Sequence, residues 1–113
     1  MKKKDDNFLD LIPEKNCRWE QAESGKIFLL VPRFKNQWLK KIARKLGKSE
    51  LVKVHFDEIG SNTWRLIDGA STVEQIGQQL EKEMQDKVQP VYQRLSEFLS
   101  ILSRNKFIYF KNF

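Results

Sequence analysis

The sequence predicts an α+β domain: a three-stranded antiparallel sheet packed on a three-helix bundle, winged helix-turn-helix-like, with a short basic helical insert. Three observations carry this expectation. Residues 17 to 56 hold three strand-like runs and a glycine turn. Residues 58 to 102 carry apolar stripes with a period near 3.6. Between and within these lies DEIGSNTWRLIDGASTVEQI (57 to 76), a stretch dense in helix caps and turn residues. A chain of 113 residues is one domain on length and hides roughly two-thirds of its unfolded surface, enough for a modest core without disulfides or metal.

Residues 1 to 16 are polar and aperiodic apart from Phe8, Leu9, Leu11 and Ile12, which reads as a flexible N-terminal arm before a domain spanning 17 to 113. The opening MKKKDD is basic, but FLDLIP is broken by Asp10 and stops at Pro13, far short of a signal-peptide core or a membrane span. A cytoplasmic location with no membrane span is expected. Cys17 is the only cysteine and His55 the only histidine, so neither an intrachain disulfide nor a Cys/His metal set can form.

The first two strands are CRWEQ (17 to 21) and KIFLLVPR (26 to 33), joined through Gly25 as a hairpin. Ile27 to Val31 is continuously apolar, as suits a central strand, and Pro32 ends regular pairing. A basic insert, about 35 to 49, follows. It contains a short amphipathic helix with Trp38, Leu39, Ile42 and Leu46 on one side, closed by Gly47. In LVKVHF (51 to 56) Val52, Val54 and Phe56 alternate with Lys53 and His55, the pattern of a half-buried third strand.

The capped corner comes next. Asp57 can cap a helix carrying Ile59, Thr63, Trp64 and Ile67 on one face, and Gly69 can close it in a left-handed turn. Thr72 and Gln75 stand as a capping box before the stripe Val73, Ile76, Leu80 and Met84. Pro90 suits the first turn of a last helix with the stripe Val91, Leu95, Phe98, Leu99 and Leu102, and FIYF from Phe107 ends the chain as a strand or packed tail.

The net charge of +6 is concentrated. Between Ser24 and Ser49 lie eight cations, Lys26, Arg33, Lys35, Lys40, Lys41, Arg44, Lys45 and Lys48, and no acid, which leaves the rest of the chain at −2. The default reading of this insert is a solvated basic face covering one edge of the sheet. The other readings are docking to an acidic protein, to lipid headgroups or to nucleic acid.

No catalytic constellation is visible: there is no Gly-rich phosphate loop, no G-x-S-x-G and no carboxylate pair at a strand end, so no enzyme activity, cofactor or metal is expected. The last helix would face solvent with Gln93, Arg94, Ser96, Glu97, Ser100, Ser103 and Arg104. Two cations and an acid make a poor groove reader, so no specific nucleic acid partner is expected. A DNA-associated winged-helix regulator and a structural adaptor with a closed groove stand as alternatives.

From Val52 to Ile108 the chain resembles the PqqD-like family (pyrroloquinoline quinone biosynthesis protein D). Asp57, Glu58, Gly60, Trp64, Leu66, Ile67, Asp68, Gly69, Thr72, Val73 and Ile76 carry the resemblance. The hairpin around Trp19 and Phe28 to Pro32 looks like the family's first two strands, which extends it to roughly residues 17 to 110.

The resemblance implies a non-catalytic peptide chaperone, a precursor-peptide recognition element. It would present a ribosomally made leader peptide to a modifying enzyme, often a radical S-adenosylmethionine enzyme, in PQQ-type cofactor or peptide natural-product biosynthesis. It further implies that the leader pairs with the backbone of Val52, Lys53, Val54, His55 and Phe56 and lies against the last helix. Tyr92, Leu95, Leu99 and Leu102 are candidates for the opposing wall, some of them being needed for the core instead. Simpler members join the second and third strands by a short turn. The insert here either docks a partner through Trp38, Lys40, Lys41, Arg44 and Lys45 or covers the peptide-binding edge, and a homodimer is also left open.

Overall fold

The structure, a computed structural model, describes residues 8–33, 36–47 and 50–113. In chain order the elements are β1 (Pro13–Lys15), β2 (Arg18–Gln21), β3 (Ile27–Pro32), α1 (Gln37–Lys45), β4 (Leu51–His55), α2 (Glu58–Leu66), α3 (Val73–Met84), a 3-10 turn (Gln85–Val88), α4 (Val91–Arg104) and β5 (Ile108–Phe110). The class is α+β with two antiparallel sheets, one ordered β2-β3-β4 and one made of β1 and β5.

The β2–β3 hairpin turns at Gly25, whose φ of 92° is the left-handed conformation the sequence calls for there. β3 is the central strand, and Ile27 to Leu30 are buried. Cross-strand partners share a face. Ile27, Leu29 and Val31, with Val54 across from Leu29, belong to the helical core. The reverse face holds Phe28 beneath the His55 ring, at 5.4 Å between centroids, and the Lys53 ammonium, at 5.1 Å. That core is centred on Trp64, Ile67, Val73, Ile76, Leu80, Leu95, Leu99 and Ile108, all almost wholly buried.

The corner from 57 to 76 folds as its caps dictate. The Asp57 carboxylate accepts from Gly60 N at 2.8 Å, and Thr72 and Gln75 form a reciprocal capping box. Gly69 has φ 75°. Asp68 adds a device of its own: its carboxylate accepts from Ala70 N at 2.9 Å, Ser71 N at 2.8 Å and Ser71 Oγ at 3.1 Å. These bonds hold its pKa below the ordinary carboxylate value. Pro90 falls one residue earlier than expected, at the N-cap of α4 rather than in its first turn.

Residues 8 to 16 correct the expectation of a loose arm with order beginning near Cys17. Leu11 and Pro13 are buried, and β1 pairs with β5 from Pro13–Phe110 to Lys15–Ile108. The carbonyls of Leu11 and Leu9 accept from Val73 N and Glu74 N at 2.9 and 3.0 Å, and so satisfy two of the four orphan donors at the start of α3. Asn112 closes the seam by accepting from Ile12 N at 2.8 Å and donating to the Asp10 carbonyl at 2.9 Å. Three residues of strand are too few to show a period, so only the pairing with the far end of the chain makes the segment ordered. Residues 1–7 lie outside the described residues.

The basic insert is also oriented otherwise than expected. The ladder runs to Pro32–Leu51 and continues with Arg33 N donating to Glu50 O at 2.7 Å, so α1 stands beyond the end of the β3–β4 pair. Its buried residue is Ala43, Lys40 is half-buried, and Arg44 Nη2 donates to both Glu50 carboxylate oxygens at 2.9 Å. The apolar stripe faces out, with Trp38 and Leu46 each 67% exposed.

Candidate functional site

β4 is the last strand of its sheet, and its outer edge is bonded to no other strand among the described residues. Antiparallel ladders alternate, so every second residue turns its N–H and C=O to the same neighbour. Glu50 O and Phe56 N both bond across to the β3 side, at 2.7 and 3.0 Å, and that parity puts the backbone groups of Val52 and Val54 toward β3 as well. Of the five residues expected to pair with a peptide, Val52, Val54 and Phe56 are therefore already committed. Lys53 and His55 turn their backbone groups to the outer edge.

That edge opens onto a groove of about 520 Å³ between the end of β4, the start of α2 and the face of α4. Phe56 is part of its lining, its ring 5.3 Å from Phe98 in an edge-on contact and 5.8 Å from Trp64. His55 and Asp57 line one side, and Arg94, Glu97, Phe98 and Ile101 the other. These last four recur at the i, i+3, i+4 and i+7 spacing of one helical face. Ile101 is 51% exposed, although the core stripe of α4 runs beside it.

The expected wall of Tyr92, Leu95, Leu99 and Leu102 is divided by burial. Leu99 and Leu102 are inside the core and present nothing to a ligand, while Leu95 reaches the groove only at its base. Tyr92 turns to α3, where its hydroxyl donates to the Glu74 carbonyl at 3.1 Å, and burial with Glu81 and Glu74 nearby raises its pKa. Phe98, expected in the core stripe, and Arg94 and Glu97, expected in solvent, line the groove instead. Ile101 carried the readable signal for this face, being the one strongly apolar residue of the helix off the core stripe.

Among the expected docking residues, Trp38, Lys41 and Lys45 are exposed, Lys40 is half-buried and Arg44 is paired with Glu50. None of α1 lines the groove. Among the described residues no three His, Cys, Asp or Glu side chains are grouped to hold a metal ion, and no helix is long and apolar enough to cross a membrane. Cys17 lies away from the groove, its thiol pKa raised by burial.

A family model described as Coenzyme PQQ synthesis protein D (PqqD) matches residues 50–108, more than half of the chain. The chain belongs to the PqqD family. The PqqD match starts one residue before β4 and ends at the first residue of β5. It thus contains every residue that lines the groove, whereas β2, β3 and α1 lie outside it. Comparison with curated proteins and with solved structures gives no significant match.

Proposed function

We propose that this PqqD-family chain is a non-catalytic peptide-binding protein that holds the leader of a ribosomally made precursor and presents it to a modifying enzyme. A radical S-adenosylmethionine enzyme is the partner class to which the family resemblance points. The peptide adds as a strand to the outer edge of β4, bonding to Lys53 and His55, and sets an apolar side chain into the groove between Phe56, Phe98 and Ile101. The sheet with α2, α3 and α4 then serves as a winged-helix-like platform.

The observation that carries this reading is the juxtaposition of the outer edge at Lys53 and His55, bonded to no other strand among the described residues, with a half-exposed apolar groove whose far wall includes Ile101. Main-chain bonds along such an edge supply affinity without sequence preference, and alternate side-chain pockets supply the choice of peptide. An acyl-transfer or phosphoryl-transfer role finds no support in the groove, whose two carboxylates are Glu97 and the Asp57 that already caps α2.

The test is an NMR titration of the full chain with the leader segment of a short peptide encoded beside its gene. Shift changes should concentrate at Lys53, His55, Arg94, Phe98 and Ile101. Changes confined to α1, with β4 and α4 silent, would sink the proposal.

A further inference from the structure

α1 departs from the usual arrangement of a surface helix. A helix on a globular domain normally buries its apolar stripe and shows its charges to water. Here Trp38, Leu39, Ile42 and Leu46 are exposed at 67, 41, 38 and 67%, while the small Ala43 is the residue turned inward. At 3.6 residues per turn, Lys41 and Lys45 fall on the flank of the apolar stripe, and both are exposed. The chain from 24 to 49 has no acid, and Glu50, which follows it, is already paired with Arg44.

We infer that the outward face of α1 is a peripheral membrane-binding surface for anionic phospholipid: Trp38, Leu39, Ile42 and Leu46 enter the interface, and Lys41 and Lys45 meet the lipid phosphates. A bilayer surface has an apolar layer directly beneath a layer of phosphates, the same order in which α1 presents its stripe and its flanking cations. Tryptophan favours that boundary. A second copy of the chain fits badly, because stacking two such faces would set Lys41 and Lys45 against their own kind. Duplex nucleic acid would satisfy the cations and leave four apolar side chains in water. An acidic protein would need a recess matched to one short convex helix, whereas a fluid interface needs none. With only nine helical residues, attachment is reversible and depends on charge as much as on burial.

The test uses the full chain and two kinds of vesicle, pure phosphatidylcholine and phosphatidylcholine mixed with phosphatidylglycerol. At low salt the protein should sediment with the anionic vesicles and stay in solution with the neutral ones. Raising salt from about 0.15 M to about 1 M, which shortens the Debye length from about 8 Å to about 3 Å, should release it.

Each lysine close to an anionic surface is worth about a fivefold change in partition, so the double variant Lys41→Glu, Lys45→Glu should lose about thirtyfold or more. Its thermal melt should match that of the parent, since both sites are exposed. Vesicle binding should shift tryptophan emission to the blue, and Trp38→Phe should lose that shift. No sedimentation with anionic vesicles, or undiminished sedimentation of the double variant, overturns the inference. So does capture by polyglutamate without vesicle binding, which would assign the face to an acidic protein.

Discussion

Tyr92 lies over Gly77 so closely that a β-carbon on the glycine would fall 2.4 Å from the ring's Cε1. The ring is fixed there because its hydroxyl donates to the Glu74 carbonyl, so α3 and α4 meet through a side chain that fills the place of another. Gly77→Ala should therefore destabilise the protein, although alanine in a helix is ordinarily better by about 1 kcal/mol. In a Tyr92→Ala background the same change should stabilise. A double-mutant cycle by urea denaturation should return a coupling of about 1–3 kcal/mol, and simple additivity would refute this account of the contact.

The corner at Gly69 responds to two constraints together. Its positive φ disfavours any side chain, at a cost of about 1–2 kcal/mol, and an added β-carbon would lie 2.5 Å from the Glu14 carboxylate. Gly69→Val should lower the melting temperature, and Thr72→Ala should remove a cap worth about 1 kcal/mol. Peptide affinity per folded molecule should be unchanged in both, as calorimetry on the folded variants would check. If either kept full stability and lost peptide binding, the corner would be a contact site.

The N-terminal segment behaves as part of the core. Leu11→Ala should cost about 2–3 kcal/mol, the scale of a large-to-small change in a packed interior, where a loose arm would register nothing. Asn112→Ala removes two bonds across the seam and should cost about 1 kcal/mol. Hydrogen exchange at Val73 and Glu74 should quicken in the Leu11 variant, because the Leu11 and Leu9 carbonyls protect those two amides.

The parity of β4 separates two proline variants only one residue apart. Lys53→Pro removes an N–H that points to the outer edge, so the fold should persist and peptide binding should fall. Val54→Pro breaks the ladder to β3 and should destabilise the sheet itself. Ile101→Ser should weaken peptide binding about tenfold with little change in stability, since half of the side chain is already in water. Parallel melts and titrations of the three variants would decide it.

Asp68 gives a pH dependence of known sign. Its folded-state pKa is depressed by the Ala70 and Ser71 amides, so its contribution is complete above the unfolded-state value. It is lost as pH falls through the folded value, below the ordinary carboxylate range. The stability gap between the parent and Asp68→Asn should be open at neutral pH and narrow in acid. A gap constant down through that range would mean that the carboxylate's charge contributes nothing.

By itself the sequence determined the elements whose signals are local. Asp57, Thr72 and Gln75 name the helix starts, Gly25, Gly47 and Gly69 take the positive φ their turns require, and the stripes of α2, α3 and α4 form the core. Each depends on residues within a few positions of one another, and periodicity reads such information directly. Tertiary structure alone decided the rest, because each remaining feature depends on partners far apart in the chain. β1 exists only through β5 at the other terminus. Which groups of β4 are free is a matter of its register with β3. Leu99 is core and Ile101 groove because α3 and the sheet cover one side of α4 and leave the next open. The outward turn of α1 follows from its place beyond the end of a fully paired hairpin, where no sheet face is available to receive an apolar stripe.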